Sequence, residues 1–219
     1  MVTFEDIKNN KDIRTYITLA DKSLLTLGFT EHSFAHVTKV SSDVEYILST
    51  LGADKHTIEL AKIAGFMHDI GNLINRIDHS QSGAIMAFRI LDHLKMPAED
   101  VATIVTAIGN HDEGTGVAVN EVAAALILAD KCDVRRSRVR NRDFSTFDIH
   151  DRVNYSVTSS RLTINDERTE IVLELEIDTS ISPVMDYFEI FLNRMVMCRK
   201  AAEKLDVRFR LIINSQSIM

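Results

Sequence analysis

The sequence predicts a mainly α-helical protein that ends in a small β-β-α-β unit. Three observations support this prediction: apolar residues recur at three- and four-residue steps over the first two-thirds of the chain, cap-forming residues and glycines divide those stretches, and alternation with a period of two begins only after residue 150. We therefore expect a helical domain at residues 1–150 and an appendage packed on it at residues 151–219.

Six helices are expected in the first part of the chain. Thr3 begins a capping-box pattern that opens a helix through about Leu27. Thr30 is expected to cap the second helix, and Gly52 to end it. The other four are expected at Asp54 to Gly71, Ser80 to Leu94, Pro97 to Asn110, and Asn120 to about Arg138.

The last third of the chain changes to a strand pattern. The segments 170–177 and 207–213 alternate apolar and polar residues, and a partner strand is expected within 153–164, before a turn at 165–167. A helix is expected to begin at Ser182. The unit has no visible chemistry: it covers the helical core, forms a regulatory lobe, or extends a sheet across a homodimer interface.

Composition excludes several classes of protein. The 219 residues include 25 Lys+Arg and 32 Asp+Glu, a net charge of −7, with 45% hydrophobic residues, as in ordinary globular proteins. Two cysteines favour a reducing compartment, and the chain shows no apolar run of membrane-spanning length and no signal-peptide core. We expect a soluble cytoplasmic protein that does not bind membranes, and the acidic balance argues against nucleic-acid binding.

Four polar residues stand on or at the ends of otherwise apolar predicted helices: His36, His68, Asp69 and Asp130. Imidazole and carboxylate together bind first-row divalent ions, and ligands from separate helices converge in the core of a helical bundle. A lone core histidine is usually just hydrogen-bonded, and Asp130 alone would suit an arginine partner. The four together favour a metal site, since a buried unpaired carboxylate is costly. An aspartate in the position of Asp69 can bridge two ions.

Two further histidines extend this set to a second metal. His79 lies ten residues after Asp69, and His111 follows a predicted helix. His32, four residues before His36, either completes the second site, contacts substrate, or only orders the start of its helix. The remaining histidines are expected to be structural: His56, His93 and His150.

The order of these residues resembles the HD-domain metal-dependent phosphohydrolase superfamily. The matching segments are HVTKV at His36, FMHDIG at His68-Asp69 and LADKCD at Asp130, within roughly 30–140. The resemblance implies an all-helical catalytic core in which a metal-activated water attacks phosphorus. His79 and His111 match the extra histidines of dinuclear members, which resemble the HD-GYP type.

Departures from that family limit the substrate. After His111 the chain reads HDEGTGVAV, without a Gly-Tyr-Pro motif, so cyclic di-GMP is not supported as a substrate. Asn72 follows HDIG where many dinuclear relatives have a lysine that contacts phosphate, and the Glu-Asp pair of alarmone hydrolases is missing.

Basic residues near the predicted site are candidates for binding phosphate. The segment 131–143 holds six basic and two acidic residues, a local charge of +4. Lys131 and Arg135 follow Asp130, and Arg76 lies between Asp69 and His79. The alternative is a solvated helix end with surface charges, which we favour for three residues: Arg138, Arg140 and Arg142.

The sequence thus predicts a phosphohydrolase with His68 and Asp69 at its catalytic centre. We expect it to hydrolyse a small phosphate mono- or diester, with a nucleotide as the expected substrate, using one or two ions of Mn, Fe, Ni, Co, Mg or Zn. Two alternatives stay open: a non-catalytic regulatory module that binds a nucleotide or partner protein, and a di-iron oxygenase on the same helical scaffold.

Overall fold

The computed structural model describes residues 2–219 and confirms the mainly α-helical fold with a C-terminal β-β-α-β unit. The α-helices are α1 (Phe4–Asn9), α2 (Lys11–Thr26), α3 (Phe34–Leu51), α4 (Lys55–Met67), α5 (His79–His93), α6 (Ala98–Gly109), α7 (Glu121–Lys131), α8 (Ile149–Ser156) and α9 (Val184–Lys204). Short 3-10 helices lie at Ile70–Leu73, Arg136–Arg138 and Phe144–Thr146. The strands are β1 (Val157–Ile164), β2 (Glu170–Ile177), β3 (Arg208–Ile213) and β4 (Gln216–Ser217).

The four strands form one sheet in the order β1-β2-β3-β4. β1 and β2 pair as an antiparallel hairpin, and β2 pairs in parallel with β3 after the chain crosses over through α9. In this register Leu173 of β2 lies between Leu162 and Leu211. The apolar positions of β2 and β3 are buried, which explains the period of two in their sequences.

The helix α7 lies at the centre of the molecule. Its residues from Val122 to Lys131 are all buried, and it packs against α3, α4, α6 and α9. A helix that is apolar all round is buried on every side. Because α9 packs on α7, the side chains of the sheet, such as Leu175, join one continuous hydrophobic core with those of the helices, such as Val44. The expected boundary between residues 150 and 151 falls inside α8.

The first predicted helix is in fact two, α1 and α2. Thr3 forms the expected capping box, but Asn10 adopts an extended backbone with ψ 122° and ends α1. Its side chain accepts hydrogen bonds from the backbone N–H groups of Asp12 and Ile13, and so caps α2. Asparagine competes for backbone hydrogen bonds in this way, which makes it a common helix boundary. The cap of α3 is also Ser33 rather than Thr30.

Two helices end earlier than their sequence patterns predict. α4 stops at Met67 rather than Gly71, and α7 stops at Lys131 rather than near Arg138. After each of these two helices, long-range contacts determine the path of the chain. One example is the hydrogen bond of 2.9 Å that Arg138 Nε donates to the carbonyl oxygen of Glu31. Local periodicity does not encode such contacts.

The helix α8 was not expected. Its residues 153–156 fall where the sequence favoured the start of a strand, and β1 begins only at Val157. Asp148 caps α8 by accepting a hydrogen bond from the backbone N–H of Asp151 at 2.8 Å. None of the helices formed by residues 2–219 has both the length and the apolar character needed to cross a membrane.

Candidate metal centre

The six predicted ligand residues come together where the ends of five helices meet. Their side chains come from the first turn of α3, the end of α4, the start of α5, the end of α6 and the end of α7. All six are buried, with exposed fractions between 0% and 9%; they are His36, His68, Asp69, His79, His111 and Asp130.

Four of these side chains form a first cluster. The Nε2 atom of His36 lies 3.3 Å from Nε2 of His68 and 3.2 Å from Oδ1 of Asp130. Oδ2 of Asp69 lies 3.3 Å from Nε2 of His68. Ligands bound about 2.0–2.2 Å from a shared ion are separated by about 3.0–3.5 Å in octahedral or tetrahedral geometry. The separations in this cluster therefore suit one first-row divalent ion.

The other oxygen of Asp69 faces a second pair of histidines. Oδ1 lies 3.5 Å from Nε2 of His79 and 4.0 Å from Nε2 of His111, and those two nitrogens are 3.2 Å apart. Asp69 thus stands between two pairs of imidazoles with one oxygen towards each.

The outer nitrogens of the four imidazoles are all engaged by acceptors. Nδ1 of His36 lies 2.7 Å from Oδ2 of Asp133, and the Nδ1 atoms of the other three lie 2.6–3.1 Å from backbone carbonyl oxygens, those of Gly65, Arg76 and Ile108. These contacts assign a proton to each Nδ1, so that Nε2 is the nitrogen available to bind metal. Hydrogen-bond acceptors that face one another in a buried site need a cation or protons between them. The imidazole nitrogens and carboxylate oxygens of this cluster therefore fit a divalent metal ion.

Close backbone packing sets the positions of these ligands. A Cβ atom added to Gly71 would lie 2.0 Å from the carbonyl oxygen of His79 and 2.4 Å from the backbone nitrogen of Gly83. Only glycine therefore allows the start of α5 to approach the chain that follows His68-Asp69. This is the physical role of the glycine in HDIG, in place of the helix cap expected from the sequence.

The charges of the site strongly shift the pKa values of its side chains. Burial opposes protonation of His68, but Asp69 and Asp130 outweigh burial and raise the pKa of His68 to about 10. Burial also disfavours ionised Asp69 and Asp130, yet His68 next to the first and Lys131 next to the second hold both carboxyl pKa values well below their usual range. The ionised carboxylates of Asp69 and Asp130 therefore attract protons or metal ions.

The second pair of histidines behaves differently. Burial, reinforced by the charge of protonated His68, holds the pKa of His111 well below its usual value. Burial also lowers the pKa of His79, although Asp69 opposes this shift. Both imidazoles are therefore neutral near pH 7, which is the state that coordinates metal.

A cavity of about 330 Å³ opens beside the ligands. Asp69, His79 and Asp130 line its floor. Four basic side chains also line it, and they are Arg76, Lys131, Arg138 and Arg194. His32 lines the same cavity, its Nδ1 2.7 Å from the carbonyl oxygen of Thr30, and burial holds its pKa well below the usual value. The two groups of clustered ligand atoms in the described residues include neither His32 nor His79, but His79 Nε2 lies 3.2 Å from His111 Nε2, whereas His32 Nδ1 faces a backbone carbonyl.

The residues predicted to bind phosphate have different surroundings. Arg76 lines the cavity, with one terminal nitrogen 3.2 Å from Oδ1 of Asn72 and 3.3 Å from Nε2 of His79. Lys131 lines it too. Arg135 is not among the lining residues: its side chain pairs with Asp133 at 2.8 Å and with Glu31 at 3.4 Å. These contacts fit support of Asp133, and a role of Arg135 in binding phosphate stays a prediction.

Two residues line the cavity although the sequence predicted other roles for them: Arg138 was expected to be a surface charge and His150 a structural histidine. The exposed fraction of Arg138 is 4%, and its side chain donates to the carbonyl oxygens of Glu31 and Asp133. The expectation of surface charge fits Arg142, which is exposed, while Arg140 forms an ion pair with Asp21.

Asp133 is not among the site residues predicted from the sequence. Its carboxylate is fully buried and lies beside His36. The available signal was its spacing, three residues after Asp130 in LADKCD, which places a second carboxylate one turn from the first. Glu113 and Arg194, which contact each other behind the site, carried no signal because they are 81 residues apart in the sequence.

Comparison with known proteins agrees with this fold and site. The family model described as the HD domain matches residues 33–135. This range includes all six clustered residues, from His36 to Asp130. Residues 33–135, which hold the whole ligand set, are therefore similar to the HD domain.

Two proteins are similar to this chain over more residues than the family model matches. An uncharacterized protein of Methanocaldococcus jannaschii is 23% identical over 160 residues, which cover 63% of this chain and 61% of that protein. This chain therefore spans about three fifths of that relative's length. The crystal structure of a predicted HD superfamily hydrolase from an uncultured Thermotogales bacterium shares 25% identity over 57% of this chain and 68% of that chain, with a TM-score of 0.44.

Proposed function

We propose that the protein is a divalent-metal-dependent phosphohydrolase that acts on a phosphate mono- or diester, with nucleotides as the first substrates to test. The observation that carries the proposal is the position of Asp69. One of its oxygens lies 3.3 Å from His68 Nε2 and the other 3.5 Å from His79 Nε2. Two ions held about 3.5–4 Å apart by a shared carboxylate are typical of enzymes that cleave phosphate esters.

In this proposal His36, His68 and Asp130 hold the first ion, His79 and His111 hold the second, and Asp69 bridges them. One compact group of ligand atoms in the described residues, that of His36, His68 and Asp130, supports the first ion, and the contact of 3.2 Å between the Nε2 atoms of His79 and His111 supports the second. When bound, such ions lower the pKa of water and stabilise charge on a phosphoryl group. The chain's own residues fix the ligands: Asp133 and three backbone carbonyls keep the Nδ1 protons in place.

Arg76 is the residue best suited to contact a phosphate oxygen. It lines the cavity beside His79, and within residues 2–219 no carboxylate lies within 4.0 Å of its guanidinium. The other cations of the cavity have carboxylate neighbours: Lys131 contacts Asp130 and Glu113, and Arg138 lies 3.7 Å from Asp133. An arginine without such a partner keeps its charge and its donors available for an anionic substrate.

The test combines metal analysis with a substrate panel. The purified protein is analysed for bound metal and then assayed for phosphate release with Mn, Mg, Fe, Ni, Co and Zn, using nucleoside mono-, di- and triphosphates, cyclic nucleotides and generic phosphodiesters. We expect metal near two ions per chain and release that is abolished by His68→Ala and Asp69→Ala. Metal binding without phosphate release from any substrate would contradict the proposal.

The same experiment separates the two other functions that the ligand set permits. Oxygen consumption by the iron-loaded protein, with no hydrolysis, would favour a di-iron oxygenase. Tight nucleotide binding without turnover or metal would favour a regulatory module. The intact set of six buried ligands argues against the latter, since a site without metal gains nothing from so many facing acceptors.

A further inference from the structure

A buried lysine links the candidate metal centre to the C-terminal helix. Lys131 has an exposed fraction of only 4%. Its Nζ atom lies 2.9 Å from Oδ2 of Asp130, the oxygen that does not face His36. The same atom lies 3.5 Å from Oε2 of Glu113. Lys131 is thus held between two carboxylates, one of which belongs to the metal centre.

Glu113 connects Lys131 to α9, the helix of the C-terminal unit. While Oε2 faces Lys131, Oε1 lies 2.5 Å from Nε of Arg194, which stands on α9. The guanidinium of Arg194 is also fixed over the ring of Phe191, 4.5 Å from its centre. The result is a line of alternating charge, Arg194, Glu113, Lys131 and Asp130, that runs from the C-terminal unit to a candidate metal ligand.

The loop that carries Glu113 is itself packed tightly on α9. This loop joins His111 to α7, and a Cβ atom added to Gly116 would lie 2.6 Å from the terminal methyl group of Met197 on α9. It would also lie 2.4 Å from the carbonyl oxygen of Asp112. Glu113 is therefore held in place by backbone packing as well as by its two cations.

We infer that Arg194 is a positioning residue for the metal centre, acting through Glu113 and Lys131 on Asp130. With Arg194 present, Glu113 divides its two oxygens between two cations, and Lys131 stays within 2.9 Å of Asp130. Without Arg194, both oxygens of Glu113 attract Lys131 alone and draw it from Asp130. Asp130 then loses the contact that keeps Oδ1 towards His36 and His68.

This inference gives the C-terminal unit a role in metal binding and rests on the ligand set assigned in the proposed function. Residues that orient metal ligands from outside the coordination shell typically change metal affinity by about 10–100-fold when they are replaced. Arg194 acts through two intermediate side chains. We therefore expect an effect near the lower end of that range, about tenfold.

The experiment measures metal affinity directly, by competition with a chromophoric chelator for Co²⁺ or Zn²⁺ in the full-length protein. We expect Arg194→Met to weaken binding about tenfold, and Arg194→Lys to recover most of the loss. The neutral amide of Glu113→Gln no longer draws Lys131 from Asp130, so adding Glu113→Gln to Arg194→Met should recover much of the affinity that Arg194→Met loses. Arg199→Met is the matched control, an exposed arginine on the same helix.

The outcomes distinguish this inference from a structural role and from the proposed function. A purely structural role for Arg194 would lower the melting temperature and leave the affinity of the folded protein unchanged, and that result overturns the inference. Wild-type affinity in Arg194→Met overturns it as well. Metal binding that depends on Arg194 without phosphate release from any substrate would contradict only the proposed function. A wild-type protein that binds no metal would overturn both.

Discussion

The carboxylate of Asp133 lies 2.7 Å from Nδ1 of His36 and has no exposed surface. It is held from the other side by Arg135, whose Nε lies 2.8 Å from Oδ1. Burial opposes its ionisation, but the hydrogen bond with His36 and the charge of Arg138 hold its pKa well below the usual range. Asp133 is therefore ionised, and it fixes His36 with Nε2 towards the other ligands.

Replacing Asp133 by Ala should weaken metal binding by about 10–100-fold, since a metal-ligating histidine depends on the acceptor at its second nitrogen. Asp133→Asn should be milder, because an amide oxygen still accepts a hydrogen bond from Nδ1. The measurement is a chelator competition with Co²⁺ or Zn²⁺. Asp166→Ala, an exposed position in the β1–β2 turn, is the control. Equal affinities in all of these proteins would contradict the role of Asp133.

Metal removal should destabilise the fold, because the facing acceptors of the site then lose the cation that separates them. A ligand at about 1,000 times its Kd adds about 4 kcal/mol to the free energy of unfolding. For a chain of this size that corresponds to a rise in Tm of about 8–16 °C. Thermal melts with chelator and with added metal measure the shift. Asp69→Ala should abolish it, and an undiminished shift in that variant would place the metal elsewhere.

Metal affinity should rise with pH between about 6.5 and 10. Without metal, the neighbouring carboxylates raise the pKa of His68 to about 10, so a metal ion must displace its proton. One displaced proton corresponds to an increase of up to about tenfold per pH unit. Since the folded pKa is raised, this proton stabilises the metal-free fold below pH ~6.5, and that contribution is lost as pH rises towards 10.

Chelator competition and metal-free melting curves at several pH values measure both trends. Metal affinity that does not change with pH would show that His68 is already neutral in the metal-free protein. A metal-free stability that rises across the same window would contradict the predicted direction of the pKa shift.

Most of the fold follows from local sequence patterns. The three- and four-residue apolar steps and the caps at Thr3 and Asp54 mark helices, and the alternation in 170–177 marks a strand. The missed features have competing local causes: Asn10 caps a helix within a longer apolar pattern, and Asp148 caps an eight-residue helix too short to show a period. Patterns indicate which face is apolar better than where an element ends.

The residues of the site also divide into those that the sequence reveals and those that it does not. The six clustered residues are recognisable because a histidine or aspartate on an apolar helix requires a partner. The supporting residues are not, because their roles depend on distant neighbours. Arg138 sits within a basic segment that reads as surface, yet its side chain reaches the carbonyl oxygen of Glu31, 107 residues away. The contact between Glu113 and Arg194 likewise exists only after α9 has packed on α7.

Gly71→Ala should prevent the metal centre from forming. The added methyl group would lie 2.0 Å from the carbonyl oxygen of His79, and neither backbone can yield without moving α5 away from Asp69. We expect a lower Tm and loss of the ion held by His79 and His111. Gly114→Ala is the matched control, because its nearest neighbour would be 3.8 Å away. Metal analysis and thermal melts compare the two, and equal behaviour would contradict the steric argument.

Arg138→Met should destabilise the protein and reduce turnover, whereas Arg142→Met should do neither. The Arg138 side chain donates to the carbonyl oxygens of Glu31 and Asp133 and lines the cavity, while Arg142 is exposed. Losing one partner of a buried charge pair costs about 3–5 kcal/mol. We expect a loss in the free energy of unfolding near the lower end of this range, since Arg135 still pairs with the carboxylate of Asp133. Urea unfolding measures the stability and phosphate release the turnover. If both variants behave like the wild type, the buried contacts of Arg138 contribute neither to stability nor to turnover, and the prediction is contradicted.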